Sequence, residues 1–274
     1  MCIPLPTLMV LVVGTAARRL SRERRAAGRK TGASDNHPVE IKALIFDFDG
    51  LLMDTETTLL DSWRQLWRWH GLELDESTFF ADHGGDVNEE RYAQLAAAAG
   101  PGFDRAAGHA RRMAYREGLH ETLGLSAGLT EWLAAARAEG LRLAVASSSP
   151  RPWVAGHLAR TGDLARFEVL ACGDEVGAHK PDPAVYRLAL DRLGLPAAAA
   201  VAFEDTAHGV SAAVAAGLRC VAIPNRYAAS ARFTHADLVL PAATAATLPD
   251  VLTRLATRPA HASRSRQASG QGQP

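Results

Sequence analysis

Residues 47–56 read Asp-Phe-Asp-Gly-Leu-Leu-Met-Asp-Thr-Glu and follow directly on the apolar run Ile41–Phe46. In an extended segment residues i and i+2 point the same way, so Asp47 and Asp49 can face one site just beyond a buried strand. Like charges that close repel, and such a pair sits beside an apolar strand only with a cation or a proton to share. The arrangement suits phosphoryl transfer under a hard divalent metal. Asp47 would attack phosphorus and form an aspartyl phosphate. Asp49 would protonate the leaving oxygen and then take a proton from the attacking water. The bland alternative is a turn carrying two acids, since Asp-Gly is also a turn signal. Asp54 and Thr55 fit that alternative better, as a cap for the helix that follows.

Three later segments can be weighed against this chemistry. The run Arg142–Ala146 ends in Ser147-Ser148-Ser149-Pro150, where Ser149 and Pro150 read as N-cap and first helical residue. A helix starting there would aim backbone N–H groups at the sheet edge, an anion site, with Ser147 and Ser148 beside a phosphoryl oxygen. Lys180 precedes Pro181-Asp182-Pro183. A cation just before a helix start does not favour that helix's dipole, which leaves it to neutralise Asp47 and the phosphoryl group. Phe203-Glu204-Asp205-Thr206-Ala207-His208-Gly209 puts adjacent acids after another apolar run. Asp205 is a candidate direct Mg²⁺ ligand and Glu204 a ligand through water, matching a cation that keeps several waters and takes few carboxylates. Taken singly, a Ser cluster usually caps a helix and a lone Lys is usually a solvated surface group. All four segments falling at the ends of separate strands is the stronger signal.

Those strands are predicted at Ile41–Phe46, Arg142–Ser147, Glu168–Ala171, Ala199–Phe203, Cys220–Ile223 and Leu238–Leu240. Several are short, continuously apolar runs, as expected for strands covered on both faces. Helical stretches lie between them at Leu129–Glu139, Pro152–Arg160, Ala184–Leu193 and Val210–Ala216, each stopped by a nearby Gly. The alternation predicts an α/β fold, a Rossmann-like doubly wound parallel sheet. Residues 58–125 break the rhythm with helices only, at Leu59–His70, Asn88–Ala99 and Asp104–Leu119. They read as a helical cap inserted after the first strand, above the sheet edge where ligands bind. Trp63, Trp67 and His70 share one face, which reads as cap core. The core would comprise 39–57 and 126–257. Arg91, Arg111, Arg112, His83 and Trp153 are candidate pocket residues, each equally placed to be packing or surface.

The chain has 274 residues and no net charge, but the charge is uneven. Residues 1–38 carry +5 and 258–274 carry +3, leaving −8 on 39–257. An acidic body argues against nucleic-acid binding, which needs a basic footprint. Cys2, Cys172 and Cys220 show no paired spacing, and the latter two lie in or beside apolar runs as small core residues, which fits a reducing, cytoplasmic setting. Residues 1–17 are mostly apolar, but their basic cluster follows rather than precedes them, unlike a secretory signal. The run is also short of the roughly 20 apolar residues a bilayer span needs, so no membrane partner is expected. Residues 1–38 read as an extension outside the fold, consistent with an upstream start-site assignment, and 258–274 as a disordered tail.

With these motifs in order, the sequence resembles the haloacid dehalogenase superfamily of phosphohydrolases over roughly residues 40–245. Asp47-Phe-Asp-Gly…Asp54-Thr-Glu matches its first motif, Ser147 the second, Lys180-Pro181 the third, and Glu204-Asp205 with Gly209 the fourth. The insertion resembles the small cap of the branch containing β-phosphoglucomutase and many sugar-phosphate phosphatases. The resemblance implies Mg²⁺ bound by the Asp47 carboxylate, the Asp49 backbone carbonyl and Asp205. Dehalogenases of the superfamily lack the second acid, which this chain retains as Asp49. Mutases of the branch carry a His twelve residues after the nucleophile, where this chain has Leu59, and a basic residue early in the cap, where Gly84–Asn88 offers none. The resemblance therefore implies a Mg²⁺-dependent phosphatase of small phosphorylated metabolites, with a sugar-phosphate mutase as the alternative.

Overall fold

The computed structural model describes residues 40–77, 79–80, 88–228 and 233–257. The N-terminal extension, His83, Cys2 and the tail from residue 258 lie outside them. Six strands form one parallel sheet: β1 (Ala43–Phe46), β2 (Arg142–Ala146), β3 (Val169–Ala171), β4 (Ala200–Glu204), β5 (Arg219–Ala222) and β6 (Leu238–Val239). Their order is β3-β2-β1-β4-β5-β6, so the chain begins at the centre, works outward to β3, then crosses back to β4. That reversal leaves a crevice at the C-terminal ends of β1 and β4, where ligands bind in doubly wound sheets. Phe46 pairs with Val145 on one side and Phe203 on the other, so the three strands end level.

Alternation of side chains along each strand splits the core in two. Leu44, Phe46, Val145, Val201 and Phe203 pack on one face with α4 (Leu129–Ala138), α5 (Arg151–Arg160) and α8 (Leu248–Ala256). Ala43, Ile45, Ala144, Ala146 and Ala202 pack on the other with α6 (Ala184–Leu193) and α7 (Ala207–Ala215). The expected helix over 210–216 starts three residues earlier, because the Thr206 hydroxyl accepts from Gly209 N and caps it. Helix α8 has no counterpart in the expectations, although Thr247 caps it and Leu248, Val251 and Leu255 give it a buried helical stripe.

Between β1 and β2 run α1 (Thr55–Arg68), α2 (Asn88–Ala99) and α3 (Arg105–Glu121), followed by α4. Asp54 caps α1 as expected, its Oδ1 accepting from Thr57 N at 3.0 Å. Leu60, Trp63 and Leu66 of α1 join Tyr92 and Leu95 of α2 in a third apolar cluster. Trp63 and Trp67 belong to it, whereas His70 lies beyond the end of α1 and is exposed, with its edge against Phe103. Cys172 and Cys220 are buried free thiols.

Candidate active site

The level strand ends bring the first, third and fourth motifs into contact. Asp47 leaves β1 with its N–H bonded to Phe203 O at 3.0 Å, which fixes its backbone against β4. Its carboxylate accepts a hydrogen bond from Lys180 Nζ. The same ammonium donates to Ala146 O at 2.8 Å and to Glu204 Oε1 at 2.6 Å, using all three of its protons. Tyr186 OH also donates to Glu204 Oε1, at 2.7 Å, while Asp205 N reaches Glu204 Oε2 at 3.2 Å. Gly209 is required beside this carboxylate, because a Cβ there would overlap it.

Asp205 is 1% exposed, and its Oδ2 accepts from Asn225 Nδ2 at 2.8 Å. Its Oδ1 is buried with no hydrogen-bond partner among the described residues. Carboxylate oxygens of Asp47, Glu204 and Asp205 lie within 4.8 Å of one another. Gly50, at φ 82°, leaves room above Asp205 that a Cβ would fill. An orphaned, buried carboxylate oxygen among hard oxygen donors fits a divalent cation such as Mg²⁺. The electrostatics agree. Burial pushes the Asp47 carboxyl up to about 8 against the pull of Lys180, with Glu204 and Asp49 adding repulsion. Asp205 is driven well above the usual carboxylate range by burial, then by Asp47 and Glu204. Lys180 is held above its ordinary value by Asp47 and Glu204 in spite of its burial. Three acids facing one ammonium leave a deficit of positive charge.

Asp49 is held differently. Its Oδ1 accepts from Thr55 Oγ1 and Trp153 Nε1, both at 2.9 Å, and its Oδ2 from Ser149 Oγ at 2.6 Å, with a longer contact from Ser147 Oγ at 3.5 Å. Ser149 is therefore no N-cap: Pro150 takes that place without a side-chain bond, and the free N–H of Arg151 is met by Asp174 Oδ1 at 2.9 Å. The expected helix-end anion site is thus occupied at one N–H by an acid. Ser147 Oγ accepts from Ser149 N at 3.0 Å and borders Asp49, and Ser148 stands half-buried next to it.

Of the candidate pocket residues, Trp153 reaches the site. Arg112 is buried in the helical insertion, donating to Tyr92 OH and Ser62 Oγ, and serves packing. Arg111 lies over the Trp69 ring and Arg91 over the Phe79 ring. Sequence reasoning missed Thr55 and Ser149 as Asp49 partners, Tyr186, Asn225 and Arg116. Asn225 had a signal, a polar residue three positions past the apolar end of β5 at the same sheet edge; Tyr186 had none.

The sequence profile of the family described as haloacid dehalogenase-like hydrolase matches residues 44–223. The chain belongs to that family. Protein CbbY of Rhodobacter capsulatus is 38% identical over 221 residues, covering 76% of this chain and 96% of its own. Validoxylamine A 7'-phosphate phosphatase of Streptomyces hygroscopicus subsp. limoneus is 30% identical, covering 73% and 92%. The crystal structure of CbbY from Rhodobacter sphaeroides with xylulose-(1,5)bisphosphate is 31% identical, with a TM-score of 0.58 over 74% of this chain and 95% of that one.

Proposed function

We propose that this chain is a Mg²⁺-dependent phosphatase that hydrolyses small phosphorylated metabolites, sugar phosphates or similar monoesters, through an aspartyl phosphate on Asp47. The observation that carries the reading is the Asp47 carboxylate bonded to the Lys180 ammonium and lying within 4.8 Å of carboxylate oxygens of Glu204 and Asp205. Relatives named for phosphorylated carbohydrate-like substrates support the substrate class.

In this reading Asp47 is the nucleophile, and Lys180 holds it in place and meets the phosphoryl oxygens. Asp47 and Asp205 would hold Mg²⁺ directly, with the Asp49 carbonyl; bound there, the ion would offset the charge of the acids and of the phosphoryl group. Glu204, whose two oxygens are met by Lys180, Tyr186 and Asp205 N, orients Lys180 as well as lying next to the metal position. Asp49 gives a proton to the leaving oxygen and takes one from water in the second step. Ser147 and Ser148 would border the phosphate. Residues 58–125 would close over the site as a cap, with 39–57 and 126–257 as the catalytic core. Among the described residues no helix is long and apolar enough to cross a membrane, and a cytoplasmic location is part of the proposal.

The mutase alternative gains nothing from Leu59, which packs against the insertion's apolar cluster and offers no proton-transfer group. Residues 84–87 of the other departure lie outside the described residues. Inorganic phosphate release from a panel of sugar phosphates and other monoesters, with Mg²⁺ and with EDTA, tests the proposal. Mg²⁺-dependent release is expected; isomer interconversion without release, after a bisphosphate is added, contradicts it.

A further inference from the structure

Arg116 of α3 is half-buried and makes no ion pair within the described residues. Among the described residues its Nε is buried without a partner, and its one hydrogen bond runs from Nη2 to Thr55 O at a long 3.4 Å. A guanidinium has five N–H donors, and a buried Nε with no partner costs free energy that a ligand would recover. Burial and the neighbouring Arg112 pull its pKa down, while Asp49 and Glu56 pull it back. The guanidinium carbon lies 5.5 Å from the centre of the Trp153 ring, and the same indole donates to Asp49.

That placement fixes which part of a substrate Arg116 meets. The phosphoryl group belongs at Asp47 and Lys180, and Asp49 marks the leaving oxygen, so Arg116 lies on the leaving-group side.

We propose that Arg116 is a specificity-determining residue that selects phosphate monoesters whose leaving group carries a second anionic group, a carboxylate or a further phosphate. This rests on the hydrolase reading above. Planar, bidentate recognition of either oxyanion is what a free guanidinium does best.

Matched ester pairs test it: 2-phosphoglycolate against 2-hydroxyethyl phosphate for a carboxylate, and a pentose 1,5-bisphosphate against the pentose 5-phosphate for a phosphate. In at least one pair, wild type should favour the charged ester in kcat/KM. Arg116→Ala should lower that preference by about tenfold or more, as expected for a lost charged hydrogen bond. Arg116→Lys should recover part of it by restoring charge without the fork. The pair that responds identifies the anion. A preference unchanged by Arg116→Ala in both pairs, or absent in wild type, overturns the proposal. Calorimetry on Asp47→Asn and on Asp47→Asn with Arg116→Ala, using the same esters, separates the two readings. Failure of every ester to turn over contradicts the hydrolase, whereas equal affinity of the two proteins for the charged esters contradicts the role of Arg116.

Discussion

Lys180 donates a hydrogen bond to the Asp47 carboxylate from 133 residues further along the chain. The contact joins the end of β1 to the loop before α6, and Glu204 at the end of β4 holds the ammonium from its other side. A carboxylate that burial disfavours as an anion is kept in place by a cation that is itself held by a second acid.

Lys180→Ala should therefore cost both activity and stability. Removing one partner of a buried ion pair costs about 3–5 kcal/mol, because the remaining charge is left alone. Chemical denaturation should register that loss, and phosphate release should fall below one part in a hundred. Saturating Mg²⁺ is expected to restore part of the stability and little of the activity.

Mg²⁺ should bind the folded protein and raise its melting temperature. At a hundredfold excess over Kd the linkage is worth about 2.7 kcal/mol. Asp205→Asn removes the orphaned oxygen's charge, and differential scanning fluorimetry should then find little or no Mg²⁺-dependent shift. An undiminished shift would place the metal elsewhere.

Gly209→Ala puts a methyl group against the Glu204 carboxylate, which cannot retreat without releasing Lys180 and Tyr186. The cost is that of overpacking, about 1–3 kcal/mol. A loss of turnover much larger than the loss in melting temperature would trace the effect to the displaced Lys180.

Trp153→Phe keeps the ring and deletes the N–H that Asp49 Oδ1 accepts. Steady-state kinetics should show kcat down by about tenfold, the worth of one hydrogen bond to a charged group, with KM changed little. Asp49→Asn should be harsher, roughly 10²–10⁴-fold, because the proton itself is lost.

His120 offers a pH test away from the acids. Burial, then Arg116 and His157, lower its pKa from 6.5 to about 4. The folded state thus takes up its proton later than the unfolded chain does. The stability tied to neutral His120 is complete above pH 6.5 and is lost as pH falls from there towards 4. The wild-type melting temperature should drop more over that interval than that of His120→Gln, and parallel curves would refute the assignment.

Much of this was legible in the sequence, for physical reasons. Short apolar runs followed by acids mark buried strands whose C-terminal ends carry chemistry, so Asp47, Glu204 and Asp205 stood out. Lys180 was legible only as a cation at an unhelpful place for its helix. Ser149 was misread because Ser before Pro is a good cap locally, and only the fold brings Asp49 to its hydroxyl. Helix α8 was missed although its cap and stripe were present, a lapse of reading rather than of information. Tyr186 and Arg116 could not be read, since a tyrosine in the first turn of α6 and one arginine among several on α3 acquire meaning only from what they face.

The central claim is a covalent phosphoryl group on Asp47. Acid quenching during turnover with Mg²⁺, followed by mass spectrometry of the peptide containing residues 47–56, tests it most directly. The account predicts a phosphoryl adduct on Asp47 that disappears with EDTA and in Asp47→Asn, together with phosphate release. Phosphate release with no adduct, and with turnover undiminished in Asp47→Asn, would contradict it.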